Sequence, residues 1–158
     1  EAGVYISYDP NLRPSLWEDE GMMIKVTNEM ARYCDMMLPG IREGKILMGS
    51  DNPQEISQFF IQQGAKEIVI KLGEKGAYYA NENESFVVEG FHVQEVVDTV
   101  GAGDGFAVGI ISARIENMSK KEILTRGNAI GAMQVMTLGD NEGLPNRQKL
   151  EQFIKSRI

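Results

Sequence analysis

The string Asp98-Thr99-Val100-Gly101-Ala102-Gly103-Asp104-Gly105-Phe106 concentrates the residue types that could do chemistry. Small residues at 101 to 103 let a backbone approach a ligand without a Cβ clash. From Gly103 to about Ile115 the chain reads as one long apolar helix, so these N–H groups fall at a helix N-terminus. Unpaired donors and the helix dipole favour an anion there. A carboxylate in the same turn would repel a phosphate that the turn merely held. Asp104 makes sense beside phosphate if it takes a proton from a hydroxyl attacking the phosphoryl group. A tight turn with Asp104 as a helix-start charge would account for the same residues, and a short Gly pattern by itself usually means no more.

The elements that must position this turn are legible as an alternation. Val4 to Tyr8 reads as a strand, Ser15 to Cys34 as a helix and Asp35 to Leu38 as a strand. A short helix carries Glu43, Ile46 and Leu47. A further helix starts at Asp51-Asn52-Pro53 and stops at Gly64. Glu67 to Leu72 is a β-branched run suited to a strand buried on both faces. Residues 77–80 and 85–89 continue as two hairpin strands, and Val93 to Val97 reads as a strand leading into Asp98. Ser119-Lys-Lys-Glu122 opens a helix with a capping box. Asn146 caps a last helix whose Leu150, Phe153 and Ile154 face inward. The order predicts an α/β layered sheet flanked by helices, mostly parallel with an antiparallel edge hairpin, in one domain over residues 1–158.

Composition narrows the function classes. A net charge of −7 disfavours a nucleic-acid or membrane-surface partner, since either needs a basic face. Nucleotide binding stays open, because backbone N–H groups and one or two cations can hold phosphates. One cysteine, Cys34, excludes an intrachain disulfide and points to a cytoplasmic setting with a buried thiol. One Cys and one His leave no basis for a zinc site. No run approaches the ~18 apolar residues of a membrane span. The chain opens on Glu1, as expected of a piece of something longer.

The string from Asp98 to Asp104 resembles the signature of the ribokinase (PfkB) sugar kinases, Asp-Thr-x-Gly-Ala-Gly-Asp. The resemblance implies Asp104 as catalytic base and the amides of Gly101, Ala102 and Gly103 as the anion hole. Lys71-Leu-Gly-Glu-Lys-Gly76 is similar to the family's Thr-Leu-Gly-x-x-Gly stretch along the nucleotide, which implies cofactor contacts at Lys71, Gly73 and Gly76. Lys71 stands where Thr is usual. Asn128 matches the family position near the adenine. Leu38-Pro39-Gly40-Ile41-Arg42-Glu43 resembles the Pro-Asn-x-x-Glu segment, implying that Glu43 organises Mg²⁺ through water, although Gly40 replaces the Asn. Residues 134–143 resemble the loop that binds a monovalent cation such as K⁺ together with Asp98 and Val100.

Asp9-Pro10-Asn11-Leu12-Arg13, followed by Leu16-Trp17, narrows the resemblance to 2-keto-3-deoxygluconate kinases and fructokinases. An Arg just past a strand's C-terminal end points into the ligand crevice of an open α/β sheet, and its fork suits a carboxylate. The implied activity is ATP-dependent phosphorylation of a sugar primary hydroxyl, with Arg13 and Asp104 on the substrate. The resemblance covers the C-terminal half of the family's length. The N-terminal substrate and lid part is therefore expected to be absent, this piece alone to be inactive, and a homo-oligomer to form at full length. A fructokinase and a non-catalytic nucleotide-binding module are the alternatives. A pure binder gains nothing from Asp104 beside phosphate.

Overall fold

The computed structural model describes residues 3–157. The chain packs as two compact units, one reaching Leu72 and including Tyr78–Val87, the other made of Gly73–Ala77 and the chain from Val88 onward.

The first unit carries a sheet in the order β1 (Ser7–Tyr8), β2 (Met36–Met37), β3 (Glu67–Lys71), β4 (Ala77–Ala80), β5 (Ser85–Val88). β1 to β3 are parallel neighbours. Residues 72–76 and 81–84 are too few for a parallel crossover, so β3, β4 and β5 run antiparallel as a meander. The sheet is thus mixed, as the alternation predicts. Ile68, Val69 and Ile70 have no exposed surface, which is why the centre of this strand is β-branched.

Helices α1 (Glu20–Met30), α2 (Ile41–Met48) and α3 (Pro53–Gln63) belong to this unit. Ile56 and Phe60 of α3 and Leu47 of α2 share a core with Met37, Ile68, Ile70 and Tyr78. α3 begins where Asn52 accepts from the Gln54 N–H and ends at Gly64. α1 starts later than its apolar spacing suggests. Asp19 accepts from the Met22 N–H, and Pro14–Leu16 forms a separate 3-10 turn. β1 is also shorter than read, and Val4, Tyr5 and Ile6 are exposed. Cys34 is buried, and desolvation pushes its thiol up to about 11, so it stays protonated.

The second unit is built from α4 (Ala102–Ile115), α5 (Lys120–Gln134) and α6 (Arg147–Lys155). The capping box at Ser119 and Glu122 and the cap at Asn146 form as their sequences predict. Leu150 and Phe153 of α6 pack with Ala129 and Ile130 of α5. Val93 to Val97 does not form a strand. The N–H groups of Val97 and Asp98 both donate to the Val135 carbonyl at the end of α5, so this backbone is satisfied by a helix end instead of a strand. No helix among the described residues is long and apolar enough to cross a membrane.

Glu116, just past α4, holds Arg126 of α5 at 2.8 Å and Arg147 of α6 at 2.7 Å. The Arg126 hydrogen bond is the main reason its carboxyl lies below the ordinary 4.5. A depressed folded value stabilises the fold above 4.5 and loses that contribution as pH falls through the lowered value. Glu116→Gln should therefore lower the Tm at neutral pH, and the difference from wild type should shrink once pH drops below 4.5. Thermal melts across pH 3 to 7 read this directly, and a difference that stays constant with pH would refute it.

Candidate functional site

The helix α4 opens on Gly101, whose φ of +72° and ψ of −6° lie in the left-handed region. A Cβ at this position would lie 2.2 Å from the Asp140 carbonyl oxygen, so both conformation and space require glycine. The first helical bond runs from the Gly105 N–H to the Gly101 carbonyl at 2.8 Å. No side chain caps the helix, which leaves the N–H groups of Gly103 and Asp104 without a partner among the described residues. Asp104 is exposed and makes no ion pair or hydrogen bond among those residues. An uncapped helix start beside an unengaged carboxylate can bind an anion and accept a proton next to it.

Asp98 ties the preceding turn to the 139–143 loop. Its Oδ1 accepts from the Val100 N–H at 3.0 Å and its Oδ2 from the Gly139 N–H at 3.3 Å. These donors, Val100 first, hold the carboxyl below the usual carboxylate range. Gln134 is fully buried and donates from Nε2 to the Gly139 carbonyl at 2.7 Å. Its Oε1 is buried with no partner among the described residues. Carboxylate, carbonyl and amide oxygens of this kind fit a hard cation. Sequence reading placed Gln134 only as the start of a loop. An amide inside the run Ala132-Met133-Gln134-Val135 was the signal that could have singled it out.

Gly76 and Asn128 converge on one stretch of backbone. A Cβ on Gly76 would lie 2.1 Å from the Val88 carbonyl oxygen, and Gly73 opens the 3-10 turn Gly73–Lys75 just before it. Asn128 is buried and donates from Nδ2 to the carbonyls of Val88 and Glu89, both at 3.0 Å. Both residues thus fix the course of residues 88–90. His92 lies exposed beyond them.

In the first unit, the predicted residues gather at the C-terminal ends of β1 and β3. Glu43 accepts from the Gly40 N–H at 2.7 Å and from the Leu12 N–H at 2.9 Å, one on each oxygen. The Lys71 ammonium lies 2.9 and 2.7 Å from the two oxygens of Asp9. Burial pushes the Asp9 carboxyl above its ordinary range, against the pull of that ammonium. Arg13 is exposed, and its Nη1 donates to the carbonyls of Asn11 and Leu12. Among the described residues, no group of three or more His, Cys, Asp or Glu is placed to hold a metal.

Comparison with known proteins identifies the family. The model of the pfkB family carbohydrate kinases matches residues 1–147. A 2-dehydro-3-deoxygluconokinase of Bacillus subtilis (strain 168) is 47% identical over 156 residues, covering 99% of this chain and 48% of that protein. Among solved structures, an aminoimidazole riboside kinase from Salmonella enterica, complexed with aminoimidazole riboside and an ATP analogue, superposes with a TM-score of 0.89 at 28% identity. It covers 97% of this chain and 53% of that one. A fructokinase double mutant from Vibrio cholerae O395, bound to fructose, ADP and a potassium ion, gives 0.85 at 26% identity, over 95% and 50%. The chain spans about half the length of the curated relatives it matches. With the family model matched across nearly the whole chain and an uncapped helix start behind its Gly-Ala-Gly-Asp turn, the chain belongs to the pfkB family of carbohydrate kinases.

Proposed function

We propose that this chain supplies the ATP-binding part of a kinase that converts 2-keto-3-deoxygluconate to 2-keto-3-deoxy-6-phosphogluconate. The observation that carries the reading is Asp104, an exposed carboxylate in the first turn of a helix that no side chain caps. The 47% identity to the Bacillus protein supports the choice of sugar.

In this reading Asp104 takes the proton of the sugar's primary hydroxyl as its oxygen bonds to the γ-phosphorus. The bond from that phosphorus to the bridging oxygen breaks, and ADP leaves with the electron pair. The amides of Gly101 and Gly103 stabilise the charge on the phosphoryl oxygens, and that of Ala102 joins them by giving up its long 3.4 Å bond to the Thr99 carbonyl. Gly73, Gly76 and Asn128 shape the backbone that lies along the nucleotide. Mg²⁺, if bound, would supply positive charge to the phosphates. Glu43 would order its water shell, since each of its oxygens keeps a lone pair after accepting one N–H. Asp98 and the buried Gln134 oxygen would serve a monovalent cation. Arg13 recognises the sugar's carboxylate with its planar fork.

The test is a coupled assay of the full-length protein with ATP and ketodeoxygluconate, fructose or ribose, for wild type and Arg13→Lys. The substitution should cost roughly tenfold more kcat/KM on the sugar acid than on fructose, because only the acid uses both arms of the fork. Equal losses on both would favour the fructokinase reading, and transfer to none of the sugars would reject kinase activity.

A further inference from the structure

Lys71, in the nucleotide stretch, has its side chain committed to an ion pair elsewhere. It ends β3, and its own N–H donates to the Pro39 carbonyl beyond β2, where Gly40 forms a parallel bridge to it. From there the ammonium reaches Asp9, which follows β1, and meets both carboxylate oxygens. Lys and Asp side chains are each 20% exposed, so the pair is largely withdrawn from water.

Asp9 in turn starts the loop that presents Arg13. Its Oδ1 also accepts from the Asn11 N–H at 3.3 Å, and Asn11 sits at φ +41°, in the left-handed region that Asn tolerates better than most residues. The Leu12 N–H is fixed by Glu43, and the Arg13 guanidinium folds back onto the carbonyls of Asn11 and Leu12. The loop is therefore pinned at its start by Lys71 and at its middle by Glu43. Removing the ammonium would leave a desolvated carboxylate without its counter-charge. Such a group turns outward to water or takes up a proton, and either releases the anchor.

We propose that Lys71 is a positioning residue for the sugar-side loop Asp9–Arg13, acting through Asp9 on Arg13, and is not a contact to the nucleotide. The inference rests on the kinase reading above, because it is through Arg13 that the sugar acid is held. It moves Lys71 from the nucleotide's account to the sugar's, although its neighbours Gly73 and Gly76 stay with the nucleotide.

The test uses the full-length enzyme with Lys71→Met, Lys71→Arg, Arg13→Ala and the double variant Lys71→Met/Arg13→Ala. Steady-state kinetics give KM for sugar acid and for ATP, and calorimetry gives the affinity for each alone. Lys71→Met should raise the sugar KM about tenfold and leave the ATP KM within about twofold. Lys71→Arg, which keeps the charge and can pair bidentately, should recover much of that loss. In the Arg13→Ala background Lys71→Met should cost little more, since the path to the sugar is already cut. A raised ATP KM with an unchanged sugar KM would overturn the proposal while leaving the kinase reading intact. Equal losses for both ligands, with a lowered Tm and no recovery in Lys71→Arg, would show a general structural role and overturn it as well. A wild-type enzyme that phosphorylates no sugar would fail the kinase reading itself, and the proposal with it.

Discussion

Asp104→Asn in the full-length enzyme is expected to lower kcat by about 10²–10⁴ while ATP affinity stays within a few-fold. The substitution keeps the shape of the side chain and its place in the first turn of α4. It removes the only property the mechanism needs, the capacity to accept the hydroxyl proton as the phosphorus–oxygen bond forms. Nucleotide binding should survive, because the N–H groups of the uncapped helix start are backbone and are untouched. ATP affinity could even rise slightly, since a negative charge beside the phosphates is gone. Single-turnover rates separate this from product release, and calorimetry reads the binding. A turnover near wild type would mean that Asp104 serves α4 as a helix-start charge and that the base lies elsewhere.

What the sequence made legible were features decided within a few residues. The cap at Asn52 and the stop at Gly64 bound α3, and the Ser119–Glu122 box opens α5, because each is a local hydrogen bond or a local φ. The run Ile68-Val69-Ile70 announces a strand buried on both faces. The start of α4 is legible for the same reason, since Gly101 must adopt a positive φ just where the helix begins. Features decided at long range were harder. Val93 to Val97 has the composition of a strand, but no local signal says that its backbone donors will go to Val135 at the end of α5. The burial of Asn128 is set by the Val88 and Glu89 carbonyls, about 40 residues away in sequence. Lys71 and Asp9 lie 62 residues apart, so Lys71 reads as one of a nucleotide stretch until the sheet brings β1 and β3 to the same end. Resemblance to a family assigns roles to positions. Where a side chain departs from the pattern, as Lys71 does, only the fold shows what it does instead.

Gly101→Ala should be nearly as damaging as loss of the base, although it removes no chemical group. Two effects act together. At φ +72° a Cβ costs about 1–2 kcal/mol by backbone crowding alone. The added methyl would also stand 2.2 Å from the Asp140 carbonyl oxygen and 2.8 Å from its Cα, backbone atoms that cannot swing aside as a flexible side chain would. The start of α4 or the 139–143 loop must shift, by something on the order of an ångström, to reach ordinary contact distance. That loop is fastened to Asp98 through the Gly139 N–H and to Gln134 through the Gly139 carbonyl, so it is not free to retreat alone. The displacement therefore falls partly on the N–H groups of residues 101–103, which are the proposed anion hole. Phosphoryl transfer is sensitive to placement on this scale, and a misplacement of about 1 Å can cost about 10²-fold. The expected outcome is a fall in kcat of about that size with the sugar KM little changed. The strain should lower the Tm by about 2–12 °C without unfolding the protein, because it amounts to about 1–3 kcal/mol in a domain of this size. Folded but slow is thus the predicted phenotype. Wild-type turnover in a well-folded Gly101→Ala would show that the left-handed turn does not position the amides that stabilise the phosphoryl group, and the assignment of the anion hole to residues 101–103 would fail.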